Sequence, residues 1–326
     1  MNIDIIEVKR RLLTFLKETS LVDEYITQFG PTIDVKHIKT IKEYHNRKVH
    51  PIENDISGEE PVFEILVKCP VCNQDEITSY ELRAKSQQIV QNKFLVSIYN
   101  GANGFRTIDY TLLAVTICPR CLFASPDRKD FGRYEISSHS DQKSQLSNNV
   151  ISLLQEKLGE RQAILKFTDS YKDYFKRPRG FEPAIDSYRL SMLRAKVEVW
   201  HEQPYSYYKL GAYSLRIAKI MKDNFADNQS ALKDALNYFE EAFRTSNCPS
   251  EDIEMQVIYL IVALYLKTGD QKKANSYIGV FNNLHNARIT EMRENPKLTT
   301  ATIDRWADKA KSLWENRDMQ DLFINE

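Results

Sequence analysis

The sequence carries one five-residue motif twice, as KCPVC at 68–72 and as ICPRC at 117–121. Each copy follows a run of β-branched and aromatic residues, VFEILVK at 62–68 and TIDYTLLAVTI at 107–117, which predicts a strand. Two residues between paired cysteines let a tight turn direct both thiols at one point, and the proline inside each pair stiffens that turn by fixing its φ angle. The repeated motif therefore predicts two strand-borne turns that face each other, called knuckles below.

The sequence predicts one metal site, whose four ligands are Cys69, Cys72, Cys118 and Cys121. Zn²⁺ prefers four soft ligands at tetrahedral corners, as in a zinc ribbon. With every corner filled by sulfur no position remains for water, so the site is predicted to be structural and not hydrolytic. Rubredoxin-like iron uses the same four thiolates, and a thioredoxin-like redox pair is a third interpretation, although that chemistry needs a single CxxC in a βαβ context. Cys248 is interpreted as an ordinary free thiol.

The residues that follow the two knuckles differ. Asn73 follows the first pair, at a position where a left-handed backbone often lets N–H groups reach sulfur. Leu122 follows the second pair, where glycine is expected. This difference predicts a slightly weaker hydrogen-bonding shell for the second knuckle, without loss of a ligand.

Composition excludes several classes of protein. The 326 residues are 42% hydrophobic, and Lys plus Arg (45) balance Asp plus Glu (45), so no overall field favours nucleic acid or an anionic membrane. No run approaches the length of a membrane span, and the N-terminus lacks the apolar core and cleavage site of a signal peptide. A cytoplasmic location is therefore expected, where thiols stay reduced and paired CxxC motifs indicate metal or redox chemistry.

The apolar spacing becomes helical after about residue 143. Ile185, Tyr188, Met192, Ala195 and Val199 fall at helical intervals, and five similar stretches follow, up to Trp314. Short connections between them predict helical hairpins. The stretch from Ile258 to Phe281 resembles a tetratricopeptide repeat, through Tyr265, Gly269-Asp270, Ala274 and Phe281. An ordinary α-helical domain is the alternative.

These patterns predict an α+β protein of three parts. Residues 1–60 are predicted to be a helical segment and linker, in which Leu12, Leu13, Phe15 and Leu16 form an amphipathic helix. Residues 61–135 are predicted to be a zinc-ribbon-like antiparallel β module. Within it, KFLVSIY at 93–99 is a predicted strand, and NGANGF at 100–105 is the hairpin connection to the next strand. Residues 143–326 are predicted to be a tetratricopeptide-like helical domain.

Two other clusters in the sequence are candidate sites. Glu198 and His201 form an E-x-x-H on one helix, but no second copy accompanies it, so a solvated helix end is preferred to a di-iron site. YKDYFKRPRGF at 171–181 interleaves rings with cations, as single-stranded nucleic-acid sites do. The preferred interpretation is a loop whose rings pack on the next helix and whose charges face water, because no wider basic surface supports binding.

The CPVC and CPRC motifs on their strands, together with AIDSYRLSMLRAK at 184–196, resemble a bacterial family catalogued as domain of unknown function 2225. The resemblance covers roughly residues 62–245. Members typically continue the second knuckle as Cys-Gly-Tyr-Ala, whereas this chain has Leu122 and Phe123 before Ala124. The resemblance implies a cytoplasmic bacterial protein with no assigned activity.

The sequence favours a non-catalytic, zinc-binding adaptor that holds a protein partner on its helical domain. Two features indicate this function, the filled four-thiolate site and the helical hairpins, and no catalytic arrangement stands out. A nucleic-acid-binding zinc ribbon is the alternative, and a thiol redox protein is a third. The oligomeric state, the pathway and the partner's identity are left open by the sequence.

Overall fold

The computed structural model describes residues 58–133, 146–165, 170–224 and 226–318, and a few residues before them. Those few are Leu13, Leu16, Val22, Tyr25, Ile26 and Thr32. The predicted helical segment and linker at 1–60 therefore lies mostly outside the described residues. Antiparallel strands come first and helices follow, which confirms the predicted α+β class.

The β region of the described chain contains seven short strands. They are β1 (Val62–Lys68), β2 (Ile77–Leu82), β3 (Gln87–Gln91), β4 (Ser97–Gly101), β5 (Thr116–Ile117), β6 (Ala124–Ser125) and β7 (Gly132–Arg133). They form three antiparallel sheets, in the orders β2-β1-β7, β3-β4 and β5-β6. The Ser79 and Thr116 hydroxyls lie 2.6 Å apart and join the first sheet to the third.

Each cysteine pair lies in the turn of a hairpin. Val67 pairs with Ile77 across the first turn, and Ile117 pairs with Ala124 across the second. Because each knuckle is closed by its own strands, the chain presents both cysteines of a pair on one turn. The strand-borne knuckles predicted from the sequence are present.

Two strand predictions in this region are only partly right. Most of 107–117 is not a strand: Asp109 caps a 3₁₀ turn at Tyr110–Leu112 by accepting from the Thr111 N–H, and only Thr116–Ile117 is extended. Of the predicted strand 93–99, only 97–99 lie in β4, while 93–96 lie in the connection from β3, where the Asn92 side chain accepts from the N–H groups of Phe94 and Val96. In both places a side-chain oxygen accepts from backbone N–H groups that a neighbouring strand would otherwise bond. The hairpin connection lies before Ser97, between β3 and β4, and not at 100–105 as predicted.

Nine helices lie within the described part of the chain. They are α1 (Asn148–Glu156), α2 (Leu158–Ile164), α3 (Tyr171–Tyr174), α4 (Phe181–Trp200), α5 (Ser206–Asp223), α6 (Gln229–Arg244), α7 (Glu251–Thr268), α8 (Gln271–Glu294) and α9 (Ala301–Glu315). The last six are the helices that the apolar spacing predicts. Each packs on the next along the chain from α4 to α9.

Helix α7 lies at the centre of the helical region. Ten of its residues from Met255 to Tyr265 are buried, and it contacts α6, α8 and α9. Ser250 caps its N-terminus by accepting from the Ile253 N–H, and Gly269 ends it in the left-handed conformation with φ of 85°. The apolar residues lie all round this helix because it has neighbours on several sides.

The hairpin of α7 and α8 has the features that the repeat pattern predicts. Asp270 caps α8 by accepting from the Lys273 N–H, and Tyr265, Ala274 and Phe281 are buried. The tetratricopeptide-like assignment itself remains a prediction.

The β region and the helices share one apolar core. Phe94, Val115 and Leu122 belong to the same buried cluster as residues of α4 to α9. The Tyr188 hydroxyl on α4 also donates to the Thr111 carbonyl, at 3.0 Å. Helix α4 is therefore the element that joins the two halves, while the predicted domain limits at 61–135 and 143–326 remain a prediction.

A first prediction concerns the crossing of α5 and α6. A Cβ atom added at Gly211 would lie 2.7 Å from two atoms of the Phe239 ring, which is fully buried. Gly211→Ala should therefore destabilise the protein by about 1–3 kcal/mol through overpacking, although alanine is the better helix former. Gly279→Ala in α8 is the matched control, because nothing lies within 4 Å of its added Cβ.

Guanidinium denaturation measures both variants. Gly279→Ala should gain up to about 1 kcal/mol from helix propensity. If Gly211→Ala proved as stable as Gly279→Ala, the close crossing of α5 and α6 would be wrong.

Candidate metal centre

The four cysteine sulfurs of the two knuckles converge. The Sγ atoms of Cys69 and Cys121 lie 3.5 Å apart, as do those of Cys72 and Cys118. All four sulfurs lie within 4.8 Å of one another. Cys69, Cys118 and Cys121 are buried and Cys72 is half-buried. Within the described residues, no other cluster of three or more potential metal ligands is found.

The two knuckles have the same backbone hydrogen bonds. In the first, the Cys69 N–H donates to the Gln74 carbonyl at 2.9 Å, and the Asn73 N–H donates to the Cys69 carbonyl at 3.1 Å. In the second, the Cys118 N–H donates to the Phe123 carbonyl at 2.8 Å, and the Leu122 N–H donates to the Cys118 carbonyl at 2.9 Å. The two turns are therefore built alike.

Leu122 adopts the conformation that glycine usually provides. Its φ is 58°, close to the 57° of Asn73 in the first knuckle. A left-handed backbone is unfavourable for a branched side chain, but the Leu122 side chain is fully buried in the core shared with the helices. The second knuckle makes the same two carbonyl hydrogen bonds as the first, and the expected weaker hydrogen-bonding shell around its sulfurs remains a prediction.

The spacing of the sulfurs fits a tetrahedral ion. With metal–sulfur bonds of about 2.3 Å, the edges of a sulfur tetrahedron are about 3.8 Å long. The two closest sulfur pairs are 3.5 Å apart, near that length and well beyond the roughly 2.05 Å of a disulfide bond. The cysteines are free thiols in this arrangement. The donor set therefore fits a soft cation that four thiolates can hold.

The cysteines also affect one another's protonation. Contacts with Cys121 and Cys69 lower the pKa of the Cys118 thiol well below its usual value. The same contacts with Cys118 raise the pKa of both Cys69 and Cys121 well above the usual value. These three thiols are thus one interacting group that shares its protons.

A buried arginine that the sequence analysis missed lies beside the cluster. Arg161, on α2, is only 1% exposed. Its Nε donates to the Cys121 carbonyl and its Nη1 to the Leu154 carbonyl, both at 2.6 Å. Nη2 is buried and has no hydrogen-bond partner among the described residues. Burial lowers the pKa of the guanidinium, and the charge of the four nearby cysteines opposes this effect.

Arg161 supplies the positive charge that a thiolate cluster needs. No carboxylate forms an ion pair with it among the described residues, and a buried charge without a counter-charge is costly. Four thiolates around a divalent ion keep a net double negative charge. The position of Arg161 beside the cluster is visible only from its hydrogen bond to Cys121, which lies forty residues away in the sequence. No local sequence motif indicates it.

The Glu198 and His201 cluster is not a second metal site. Glu198 is 4% exposed, so the predicted solvated helix end is wrong for this residue. Its carboxylate accepts from Arg194 Nη2 at 2.7 Å and from Lys209 Nζ at 2.9 Å. Arg194 also pairs with Asp130 at 2.9 Å, which ties α4 to the β region. The E-x-x-H spacing is therefore part of a buried ion-pair network.

Two of the four cations at 171–181, Arg177 and Arg179, are used inside the protein, whereas Lys172 and Lys176 are exposed. Arg179 is 4% exposed, and its Nη1 donates to the Val115 carbonyl at 2.8 Å. Arg177 Nη2 lies 2.9 Å from both carboxylate oxygens of Glu60. Phe175 is buried, as predicted, but the expectation that all charges face water is wrong for these two arginines. They hold the loop against the β region.

The fold and the cluster define an α+β protein with two opposed CPxC knuckles at hairpin turns and a helical region behind them. A family model described as an uncharacterized protein conserved in bacteria, DUF2225, matches residues 62–308. The chain belongs to this family, and the match extends further into the helical region than the resemblance seen in the sequence. Neither the curated proteins nor the solved structures include a significant match.

Among the described residues, no helix combines the length and the apolar composition that a membrane span requires.

Proposed function

We propose that this protein is a non-catalytic adaptor, whose β region is held together by a structural Zn²⁺ and whose helical region binds a protein partner. The single observation that carries the proposal is the convergence of four cysteine sulfurs within 4.8 Å. The ligands are Cys69, Cys72, Cys118 and Cys121. When bound, the ion would cross-link the two knuckles, as structural zinc does in small domains.

Zinc is preferred to iron because of what the site must do. A tetrahedral set of four thiolates accepts both ions. A structural cross-link needs no redox chemistry, and Zn²⁺ has none. The buried guanidinium of Arg161 offsets the negative charge that four thiolates and a divalent ion leave, which supports the divalent state.

The absence of catalysis is inferred from the filled ligand set. Hydrolytic zinc sites keep one position for water, whereas four cysteines complete the tetrahedron. The titratable network at Arg194 and Glu198 is buried and internally paired, so it offers no group to a substrate. Both groups of residues therefore suit a scaffold and not a reaction.

The adaptor role rests on the helical hairpins. Helices α5 to α9 pack as successive antiparallel neighbours, and such arrays present extended surfaces to peptide segments. A groove between these helices and the β3–β4 hairpin has a volume of about 390 Å³, within the range of ligand-binding clefts. The helical region therefore offers a formed surface for a partner.

The experiment that tests the proposal has two readouts on the untagged, full-length protein. Elemental analysis should find about one zinc per chain, and a pull-down from the native host should recover one protein partner in stoichiometric amount. Zinc with no recovered partner would contradict the adaptor role. One iron per chain, or no metal, would contradict the proposed structural zinc.

No contact in the structure favours the nucleic-acid alternative, because Arg177 and Arg179 are engaged with Glu60 and with backbone carbonyls. Thiol redox chemistry is separated from structural zinc by alkylation. Sequestered cysteines should resist iodoacetamide until a chelator is added, whereas a redox pair should react without chelator.

A further inference from the structure

One groove of the helical region has an unusual balance of charge, and we call it the inner groove. It lies where the turn of β3 and β4 approaches α5, α7 and α9. Its floor is apolar and includes Leu215, Phe239 and Leu260, each at most 2% exposed. Its walls carry aromatic rings and charged side chains.

The one carboxylate in the wall is already neutralised. Asp252 accepts from Trp306 Nε1 at 2.8 Å and from Gln256 Nε2 at 2.7 Å, and it forms an ion pair with Arg305. The hydrogen bond from Trp306 is the main cause that lowers the pKa of this carboxyl group. Asp252 and Arg305 therefore add no net charge to the groove as a pair.

Two cations of the groove remain without an acidic partner. The side chain of Arg216 donates through Nη1 to the Ala212 carbonyl of its own helix, at 3.0 Å, and forms no ion pair with any described residue. Lys309 is exposed, lies with Nζ 4.3 Å from the Trp306 ring centre, and likewise has no ion pair within the described ranges. The groove thus has a net positive charge.

The tyrosines beside Arg216 contribute rings and not charge. Tyr205 and Tyr208 stack with ring centres 4.7 Å apart. Burial raises the pKa of Tyr208, whose hydroxyl donates to Gln256 at 3.0 Å. The phenols therefore stay neutral at physiological pH, and an anion beside Arg216 meets no negative charge from them.

We infer that the inner groove binds an acidic segment of the partner protein, with an Asp or Glu side chain paired to Arg216. This inference rests on the proposed adaptor function. The half-buried rings of Tyr205 and Tyr208 suit an apolar side chain next to the acidic one, and Lys309 on Trp306 would attract a second carboxylate. A phosphate-rich polymer fits less well, because two isolated cations do not track a backbone and the chain has no net positive charge.

The test is a peptide-binding experiment with the full-length protein. A random twelve-residue phage-display library is panned against the wild type, and the enriched peptides should carry Asp or Glu beside apolar residues. A labelled peptide from that set is then measured by fluorescence anisotropy. Changing its acidic residue to the amide should weaken binding at least tenfold, since a charge-assisted hydrogen bond is lost.

Protein variants give the matched comparison. Arg216→Gln should weaken the peptide at least tenfold and Lys309→Gln by a smaller factor, whereas Lys272→Gln, an exposed lysine of α8 outside the groove, should have no effect. If Arg216→Gln does not fold, the acid-to-amide peptide series on the wild type decides. No enrichment, enrichment of non-acidic peptides, or equal binding by a folded Arg216→Gln variant would overturn the inference.

The adaptor role is tested separately by the native partner. Recovery of that partner by Arg216→Gln as well as by the wild type would leave the adaptor function intact and refute only the inner groove. Failure of the wild type to recover any partner would refute the adaptor function itself.

Discussion

Replacing Cys69 or Cys118 by serine should abolish zinc binding and unfold the β region, while most of the helical signal persists. The two cysteines represent one knuckle each, and both are fully buried. Structural zinc contributes about 10–16 kcal/mol in small zinc-dependent units, which is comparable to the whole stability of a domain. Loss of the ion therefore removes more free energy than the short strands can replace.

The structure indicates why the apo state cannot simply persist. The strands at the second knuckle are two residues each, so they hold the turn only weakly without the ion. Without the ion, the negatively charged cluster of cysteine thiolates is also lost. Arg161 is then a buried cation without a counter-charge. Opening the β region to water relieves that cost. Helices α5 to α9 contribute most of the core that the two regions share, and they should remain folded.

Three measurements check this prediction. Elemental analysis should show the loss of zinc, hydrogen exchange should show loss of amide protection in 62–133, and far-ultraviolet circular dichroism should retain most of its helical signal. Cys248→Ser is the matched control, because Cys248 lies outside the cluster and is half-buried. A Cys69→Ser protein with one zinc and unchanged protection at 62–133 would refute the cross-link.

The sequence predicts the convergence of the four cysteines because its determinants are local. A CPxC pair fixes two sulfurs on one turn whatever lies elsewhere in the chain. The sequence also shows that Asn73 and Leu122 directly follow the two cysteine pairs. Both residues adopt a left-handed backbone. The position of Arg161 beside the cluster cannot be predicted from local sequence, because it depends on a contact with Cys121 in another part of the fold.

The helices were also predictable, and the strand errors have a common cause. Apolar spacing specifies which face of a helix is buried, so the six long helices are found from the sequence. Between 107 and 116, Ile108, Thr111 and Val115 are buried without forming a ladder, because Asp109 and the surrounding core satisfy the chain instead. Burial in a core and pairing in a sheet select the same residue types.

The second large effect is expected at the buried network of Arg194. Arg194 is 2% exposed and pairs with both Asp130 and Glu198, which are themselves buried. Arg194→Met should destabilise the protein by about 3–5 kcal/mol, because it leaves two buried carboxylates short of a cation. Lys209 still pairs with Glu198, so the larger cost falls on Asp130 and on the junction of α4 with the β region.

The effect of Arg194→Met should depend on pH. Burial already raises the pKa of Asp130, and Arg194 is the main opposing influence. Without Arg194 that pKa rises further, so the folded state binds a proton that the unfolded state releases. A carboxyl group of this kind stabilises the folded state at low pH and loses that contribution as the pH rises through its folded pKa. The penalty of Arg194→Met should therefore shrink as the pH falls from 7.5 towards 5.

Urea denaturation of wild type and variant at each pH measures this difference, and any acid-induced loss of metal common to both proteins cancels in the comparison. Arg189→Met on the same helix is the matched control, since Arg189 pairs with Asp186 and its side chain is 50% exposed. That change should cost less than about 1 kcal/mol at every pH. Equal effects of the two substitutions, or a penalty at Arg194 that grows in acid, would show that the buried network does not hold α4 against the β region.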